Sequence, residues 1–357
     1  MPDTHVSIMD FLRLPSSLRT TLLSNVHNLR AFSRPLSSKP QASPKPSSSQ
    51  PSLSISAETL NEYTTSNPPN VAQLKYASRF FQSDEPKRLF SAYYFRSFPP
   101  SSHPEVAFLG RSNVGKSSVL NALFGRPNQQ VAYISKQPGK TRTMNGFGIG
   151  GEGMGKAPLE GENDATWKRF GRGGLVVVDM PGYGGGSRQE WGEEALKYLT
   201  QRKQLRRTFL LVDSEHGLKN SDKALLTHLR QEGVPFTVVM SKVDKLLYPG
   251  SKLPSPEKVS NGLAKLKKAC LDVRTKLKAV FDDGRDFKDD IVCVSAQKSL
   301  DERSGYRSKL GIDELRWAVL GACGLESDQM GESKRKIRAE DVLQVQKEVP
   351  RDALGPL

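Results

Sequence analysis

The stretch FLGRSNVGKSSVLNALFG, residues 108–125, limits the fold more than any other part of the chain. Gly110, four residues, then Gly115-Lys116-Ser117 fits the phosphate-cradling pattern GxxxxGK[ST]. Such a pattern acts only between a strand and a helix, and both are predicted here. EVAFLG at 105–110 is a short apolar run that reads as a buried strand. Val119, Leu120, Leu123 and Phe124 follow at helical spacing, with Gly125 as C-cap. Gly110, Arg111, Ser112, Asn113, Val114, Gly115, Lys116, Ser117 and Ser118 then line an anion site. Backbone N–H groups and the positive helix end face the phosphates. Lys116 reaches the β- and γ-phosphates, and the Ser117 hydroxyl is a magnesium ligand.

Further apolar runs fall at 175–179, 209–213, 236–240 and 291–294, separated by helical patterns such as EEALKYLTQRKQL, SDKALLTHLRQEG and NGLAKLKKACLDVRTKLKAVF. This alternation predicts an α/β fold in three layers, with a mostly parallel central sheet between helices. Ligand sites in such sheets lie beyond the carboxyl ends of the strands, and the remaining motifs fall there. LVVVD runs into Asp179-Met180-Pro181-Gly182. The aspartate is placed to hold magnesium through water, and Gly182 to offer its N–H to a γ-phosphate. FTVVM runs into Ser241-Lys242-Val243-Asp244. Asp244 can accept from N1 and N2 of guanine while the Lys242 stem lies over the base. The usual first residue of that pattern is Asn or Thr; Ser241 keeps a hydroxyl. IVCVSA ends in Val294-Ser295-Ala296, where a backbone N–H can bind guanine O6. SKQPGKTRTMN holds Pro138, Gly139, Lys140 and Thr141 in the place of a switch loop. Thr141 or Thr143 can close on magnesium there, Thr141 being favoured.

The four motifs in this order are those of a GTP-binding, GTP-hydrolysing domain, with Mg2+ as cofactor. GRSNVGKSS, PGKTRT, DMPGYG, RKQLRRTFLLVDSEHGLKNSD and VPFTVVMSKVDK together resemble the EngB (YihA/YsxC) family of Era-like GTPases over residues 88–325. The resemblance implies a single P-loop G domain that cycles between GTP and GDP. It also implies a role in assembling the large ribosomal subunit. NVGKS resembles GTPases in which the asparagine holds K+; Asn113 either does this or caps the loop backbone. Ras-like enzymes place a water-orienting glutamine directly after DxxG. Here Tyr183 stands at that position, so slow intrinsic turnover is expected and no catalytic side chain is assigned.

Residues 1–57 are rich in Ser, Pro and Arg and poor in acids, with Arg13, Arg19, Arg30 and Arg34 among leucines. That composition predicts a mitochondrial transit peptide and linker, and hence a place in the mitochondrial matrix; the alternative is a merely disordered N-terminus. Residues 58–87 form an N-terminal extension, 146–174 a flexible glycine-rich insertion in the 88–325 domain, and 326–357 a C-terminal extension. No apolar run reaches the ~18 residues that span a bilayer, so no stable membrane insertion is expected. Cys270, Cys293 and Cys323 have neither disulfide nor metal spacing, and Cys293 reads as core. The net charge is +15. The segments 1–57, 58–87 and 326–357 contribute +4, −1 and −1, which leaves +13 in the G domain. Solvated lysines or a polyanionic partner explain this excess. In QRKQLRR, helical spacing groups Arg202 with Arg206 and Lys203 with Arg207, either as an RNA-coupling element or as an ordinary helix end.

The expected function is a monomeric GTPase switch on the mitochondrial large ribosomal subunit or its rRNA. The alternative is a mitochondrial translation regulator in which binding rather than turnover matters. A membrane signalling G protein fits worst, because ALGPL carries no lipidation motif.

Overall fold

Five consecutive apolar runs become five parallel strands, as buried residues with no polar face require. The computed structural model describes residues 55–125, 143–150, 173–183, 189–247, 249–250, 254–281, 287, 289–299 and 309–327. Its strands are β1 (Lys87–Ala92), β2 (Glu105–Gly110), β3 (Met144–Ile149), β4 (Leu175–Asp179), β5 (Leu205–Asp213), β6 (Phe236–Ser241) and β7 (Ile291–Cys293). The main helices are α1 (Val71–Gln82), α2 (Lys116–Phe124), α3 (Gln189–Gln201), α4 (Asn220–Gln231), α5 (Pro256–Val280) and α6 (Ile312–Cys323). The sheet order is β1-β3-β4-β2-β5-β6-β7. Among the described strands only β3 runs against its neighbours, pairing antiparallel with both β1 and β4.

Alternation along the strands divides the core in two. Val106 and Phe108 of β2, with Val177 of β4, face α1, α2 and α6. Ala107 and Leu109, with Val176 and Val178, face α3, α4 and α5. This is the three-layer arrangement expected from the sequence.

The segment before β1 is built into the domain. Asn70 and Gln73 form a reciprocal capping box that starts α1, and Ala77 and Phe81 of that helix are fully buried. Further upstream, Glu62 exchanges backbone hydrogen bonds with Ile291. The Asn61 side chain accepts from Cys293 N at 2.7 Å. Together they cover the outer edge of β7.

Two expectations are corrected. The strand Met144–Ile149 occupies the first four positions of the proposed insertion 146–174. Its Gly146 and Gly148 look like loop residues, yet Gly146 lies where the Phe90 ring leaves no room for a Cβ. Residues 151–172 lie outside the described ones. The QRKQLRR stretch is also not helical beyond Gln201: Leu205 already begins β5. Arg202 turns inward and grips Glu105, with Nη2 at 2.6 Å from Oε1, while Tyr198 donates to Oε2 at 2.8 Å. Arg207 donates to Phe236 O and Thr237 Oγ1. Arg202 and Arg207 are therefore structural, and the cluster does not present one basic face.

Candidate functional site

The motifs at the ends of β2, β4, β6 and β7 meet at one edge of the sheet. β2 delivers Gly110 into a loop so tight that a Cβ there would lie 2.7 Å from Val114 Cγ1. Gly115 then turns the chain with φ +94°, a left-handed conformation that glycine adopts without strain, and α2 starts at Lys116. Lys116 is 8% exposed and donates to Asp179 at the end of β4. An ammonium and a carboxylate thus share the ground on which phosphates and their cation would compete. Ser117 follows in the first turn of α2. A hydroxyl and a carboxylate are the hard oxygen donors that magnesium takes, so Ser117 and Asp179 fit that ion. Pro138, Gly139, Lys140 and Thr141 lie outside the described residues.

After Asp179, Met180 is buried and its N–H donates to Phe108 O. Pro181 is buried, and Gly182 sits against the phosphate loop, where a Cβ would meet Ser112 Oγ at 3.1 Å and Ser112 N at 3.2 Å.

The base-reading motifs are tied to the phosphate loop. Ser241 is fully buried; its hydroxyl lies 2.8 Å from Val114 O and 3.2 Å from Val212 O. Lys242 adopts φ +57°. Its ammonium donates to Asn113 O at 2.7 Å and to Asp213 Oδ2 at 2.9 Å, and its stem runs beside Gly115. Burial alone would raise the Asp213 carboxyl, but the hydrogen bond and charge of Lys242 outweigh it and hold the group below its ordinary value. Asp213 was not singled out from the sequence; its position at the end of FLLVD was the available signal. Asn113 itself is exposed and has φ +68°. This conformation suits asparagine among non-glycine residues.

Val243 N donates to Val294 O, joining the segments that follow β6 and β7. The Ser295 hydroxyl donates to Asp244 Oδ1 at 2.6 Å and accepts from the N–H groups of Gln297 and Lys298. Asp244 is thereby held with one carboxylate oxygen positioned by protein. Ser295 N donates to Leu310 O. Val294 N donates to Met240 O, so two of the three residues expected near guanine O6 have their N–H groups engaged within the protein.

Two further sets of contacts have partners that no motif names. Tyr183 donates to Asp222 Oδ1 at 2.7 Å, and Asp222 also pairs with Arg111 of the phosphate loop. Arg316, 1% exposed, donates to the carbonyls of Leu123 and Ala122 at the far end of α2. Both connect residues distant in sequence, and the partners Asp222 and Arg316 lie outside the nucleotide motifs.

The comparisons with known proteins agree with this geometry. A family model described as a 50S ribosome-binding GTPase matches residues 105–242. The protein named probable GTP-binding protein EngB of Mesorhizobium japonicum is 35% identical over 178 residues, covering 48% of this chain and 74% of that protein. Its namesake in Bartonella tribocorum is 32% identical over 233 residues, covering 63% of this chain and 87% of the relative. A crystal structure of a probable GTP-binding protein EngB aligns over 62% of this chain and 98% of its own, with 18% identity and a TM-score of 0.30. The family model spans the phosphate loop, Asp179–Gly182 and the start of the base motif as far as Lys242, and the chain belongs to the EngB family of GTP-binding proteins, which are P-loop GTPases.

Proposed function

We propose that this protein is a GTP-driven switch in the assembly of the mitochondrial large ribosomal subunit. The observation that carries the reading is the coexistence of a guanine-nucleotide site with a +13 charge in the same domain. The family model's description as ribosome-binding supports it, and the arginine-rich, acid-poor first 57 residues support a place in the mitochondrial matrix. Ser117 and Asp179, together with Thr141, would hold a magnesium ion, which supplies charge neutralisation at the β- and γ-phosphates. Around it, Lys116 binds the phosphates, Gly182 senses the third one, and Asp244 selects guanine. Asn113 is the residue that would hold K+.

With the QRKQLRR cluster set aside, α5 is the stronger basic surface. Lys258, Lys265, Lys267 and Lys268 are exposed along this 25-residue helix, which is about 37 Å long at 1.5 Å per residue. Cosedimentation with mitochondrial large-subunit particles, at rising salt and in both nucleotide states, tests the reading. Replacing Lys265, Lys267 and Lys268 by glutamine is expected to lower the slope of log affinity against log salt by about two to three. Salt-independent binding, or none in either nucleotide state, would refute it.

The second reading, a translation regulator governed by GTP binding alone, is favoured by one observation. The Tyr183 hydroxyl, at the place of the water-orienting glutamine, is engaged with Asp222. Single-turnover hydrolysis with and without particles separates the two: acceleration by particles supports the assembly switch.

A further inference from the structure

Gly182 reaches the phosphate loop through its neighbour. Tyr183 N donates to Gly110 O at 3.3 Å and Ser112 N donates to Tyr183 O at 3.1 Å, forming a one-residue parallel bridge between Arg111 and Tyr183. The side chain makes a second attachment. Its hydroxyl donates to Asp222 Oδ1 at 2.7 Å, and Asp222 Oδ2 accepts from Lys219 N at 2.8 Å and faces Arg111 Nε at 3.3 Å. Asp222 is fully buried in the first turn of α4. Burial, and then the Asp222 charge and hydrogen bond, push the Tyr183 hydroxyl well above its ordinary pKa, so it stays a donor. The buried carboxylate needs its donors, because each one lost leaves it partly unpaired in a dry site.

We infer that Tyr183, Asp222 and Arg111 form a clasp that positions Gly182 and thereby sets the preference of this site for a triphosphate over a diphosphate. The inference rests on the GTPase reading and adds a device that regulates the same site. Gly182 cannot swing away from Ser112 while Tyr183 stays clasped. Release breaks two backbone bonds and removes the hydroxyl donor from Asp222 together, so the segment has two discrete positions. A γ-phosphate that accepts from Gly182 N favours the clasped one, whereas a diphosphate does not reach it. The clasp also ties the switch to the start of α4, so closure over a third phosphate is felt on that helix. Tyr183 and Asp222 are positioning residues and touch no reacting atom.

The test compares the affinity of the full-length protein for a non-hydrolysable GTP analogue and for GDP, in the parent, Tyr183→Phe and Asp222→Asn. Tyr183→Phe keeps the ring and removes one hydrogen bond. It is expected to weaken the GTP analogue about five- to tenfold and GDP less than about twofold, through a smaller clasped fraction. Asp222→Asn keeps an acceptor for Tyr183 and loses the charge that faces Arg111; it is expected to shift the same ratio in the same direction. Equal losses for both nucleotides, or an unchanged ratio in Tyr183→Phe, would overturn the clasp while leaving the nucleotide site intact. Failure of the parent to bind either nucleotide would instead remove the GTPase reading beneath it.

Discussion

Arg316 is the most informative residue to perturb for stability. It is 1% exposed and joins three helices. Nε donates to Leu123 O at 2.8 Å and Nη2 to Ala122 O at 3.0 Å, closing the last turn of α2. Nη1 reaches Asp313 Oδ1 at 2.7 Å and Ser78 Oγ of α1 at 3.1 Å. Arg316→Met keeps most of the volume and the apolar stem, so the loss reports polar contacts and not a cavity. It takes the guanidinium donors from Leu123 O and from Ala122 O, the latter keeping the Gly125 N–H, and leaves Asp313, itself 4% exposed, without its countercharge. Breaking a buried pair in this way costs about 3–5 kcal/mol. In a domain of this size that lowers Tm by roughly 6–20 °C. Urea unfolding at equilibrium, followed by circular dichroism, measures the loss. The double variant Arg316→Met, Asp313→Leu is expected to recover about 1 kcal/mol or more, because no charge is left buried alone. A single-variant loss under about 1 kcal/mol, or a double variant no better than the single, would refute this account of the α2 anchor.

Base selection offers a second expectation: Asp244→Asn turns one acceptor toward guanine into a donor, a mismatch of about 1–3 kcal/mol or more, and should invert the preference from GTP to XTP. A competition assay in which the variant still prefers GTP would remove Asp244 from base reading. Glu314 supplies a pH dependence, since burial, with the Asp313 charge adding to it, pushes its carboxyl up to about 7 from an ordinary 4.5. The folded state therefore binds this proton more tightly, and stability falls by about 3 kcal/mol as pH rises between those values. Glu314→Gln should be more stable than the parent at pH 8 and equal to it near pH 4; parallel stability–pH curves would contradict the assignment.

What the sequence disclosed and what it hid have a common physical cause. LVVVD and FTVVM are buried on both faces, so their apolar runs declared strands without help from partners. MNGFGI carries two glycines and stands next to a glycine-rich stretch, and nothing local marks it as β3. Its pairing with Val176 and Val178 on one side and with β1 on the other makes it a strand. QRKQLRR failed in the opposite direction, because good helix formers continue the pattern of α3. Glu105, nearly a hundred residues earlier in the chain, captures Arg202, and β5 starts in register with β2. The site followed the same division. Lys116, Asp179, Ser241, Lys242, Asp244 and Ser295 fall at the ends of self-evident strands. The Tyr183–Asp222 and Arg316 contacts depend on packing between distant segments.

The serine at the head of the base motif shows how the two halves of the site depend on each other. Its hydroxyl reaches Val114 O, 127 positions away in the phosphate loop, and Val212 O on the neighbouring strand. That task needs one donor on a short side chain, in a position with no solvent access. A serine meets it, and the departure from Asn or Thr leaves the connection in place. The next residue reinforces the link. Lys242 holds a left-handed backbone that costs a non-glycine residue about 1–3 kcal/mol. It is kept there by Ser214 Oγ on its carbonyl and by Asp213 and Asn113 O on its ammonium. The strain aims the lysine stem along Gly115 while its charge closes the phosphate loop. Lys242 thus connects the end of β6 to the loop that carries Lys116. Moving Lys242 would therefore take the ammonium donor from the Asn113 carbonyl, and moving Ser241 the hydroxyl donor from the Val114 carbonyl. The end of β6 and the phosphate loop are thus fastened together through two adjacent side chains, and a change at either is felt in both.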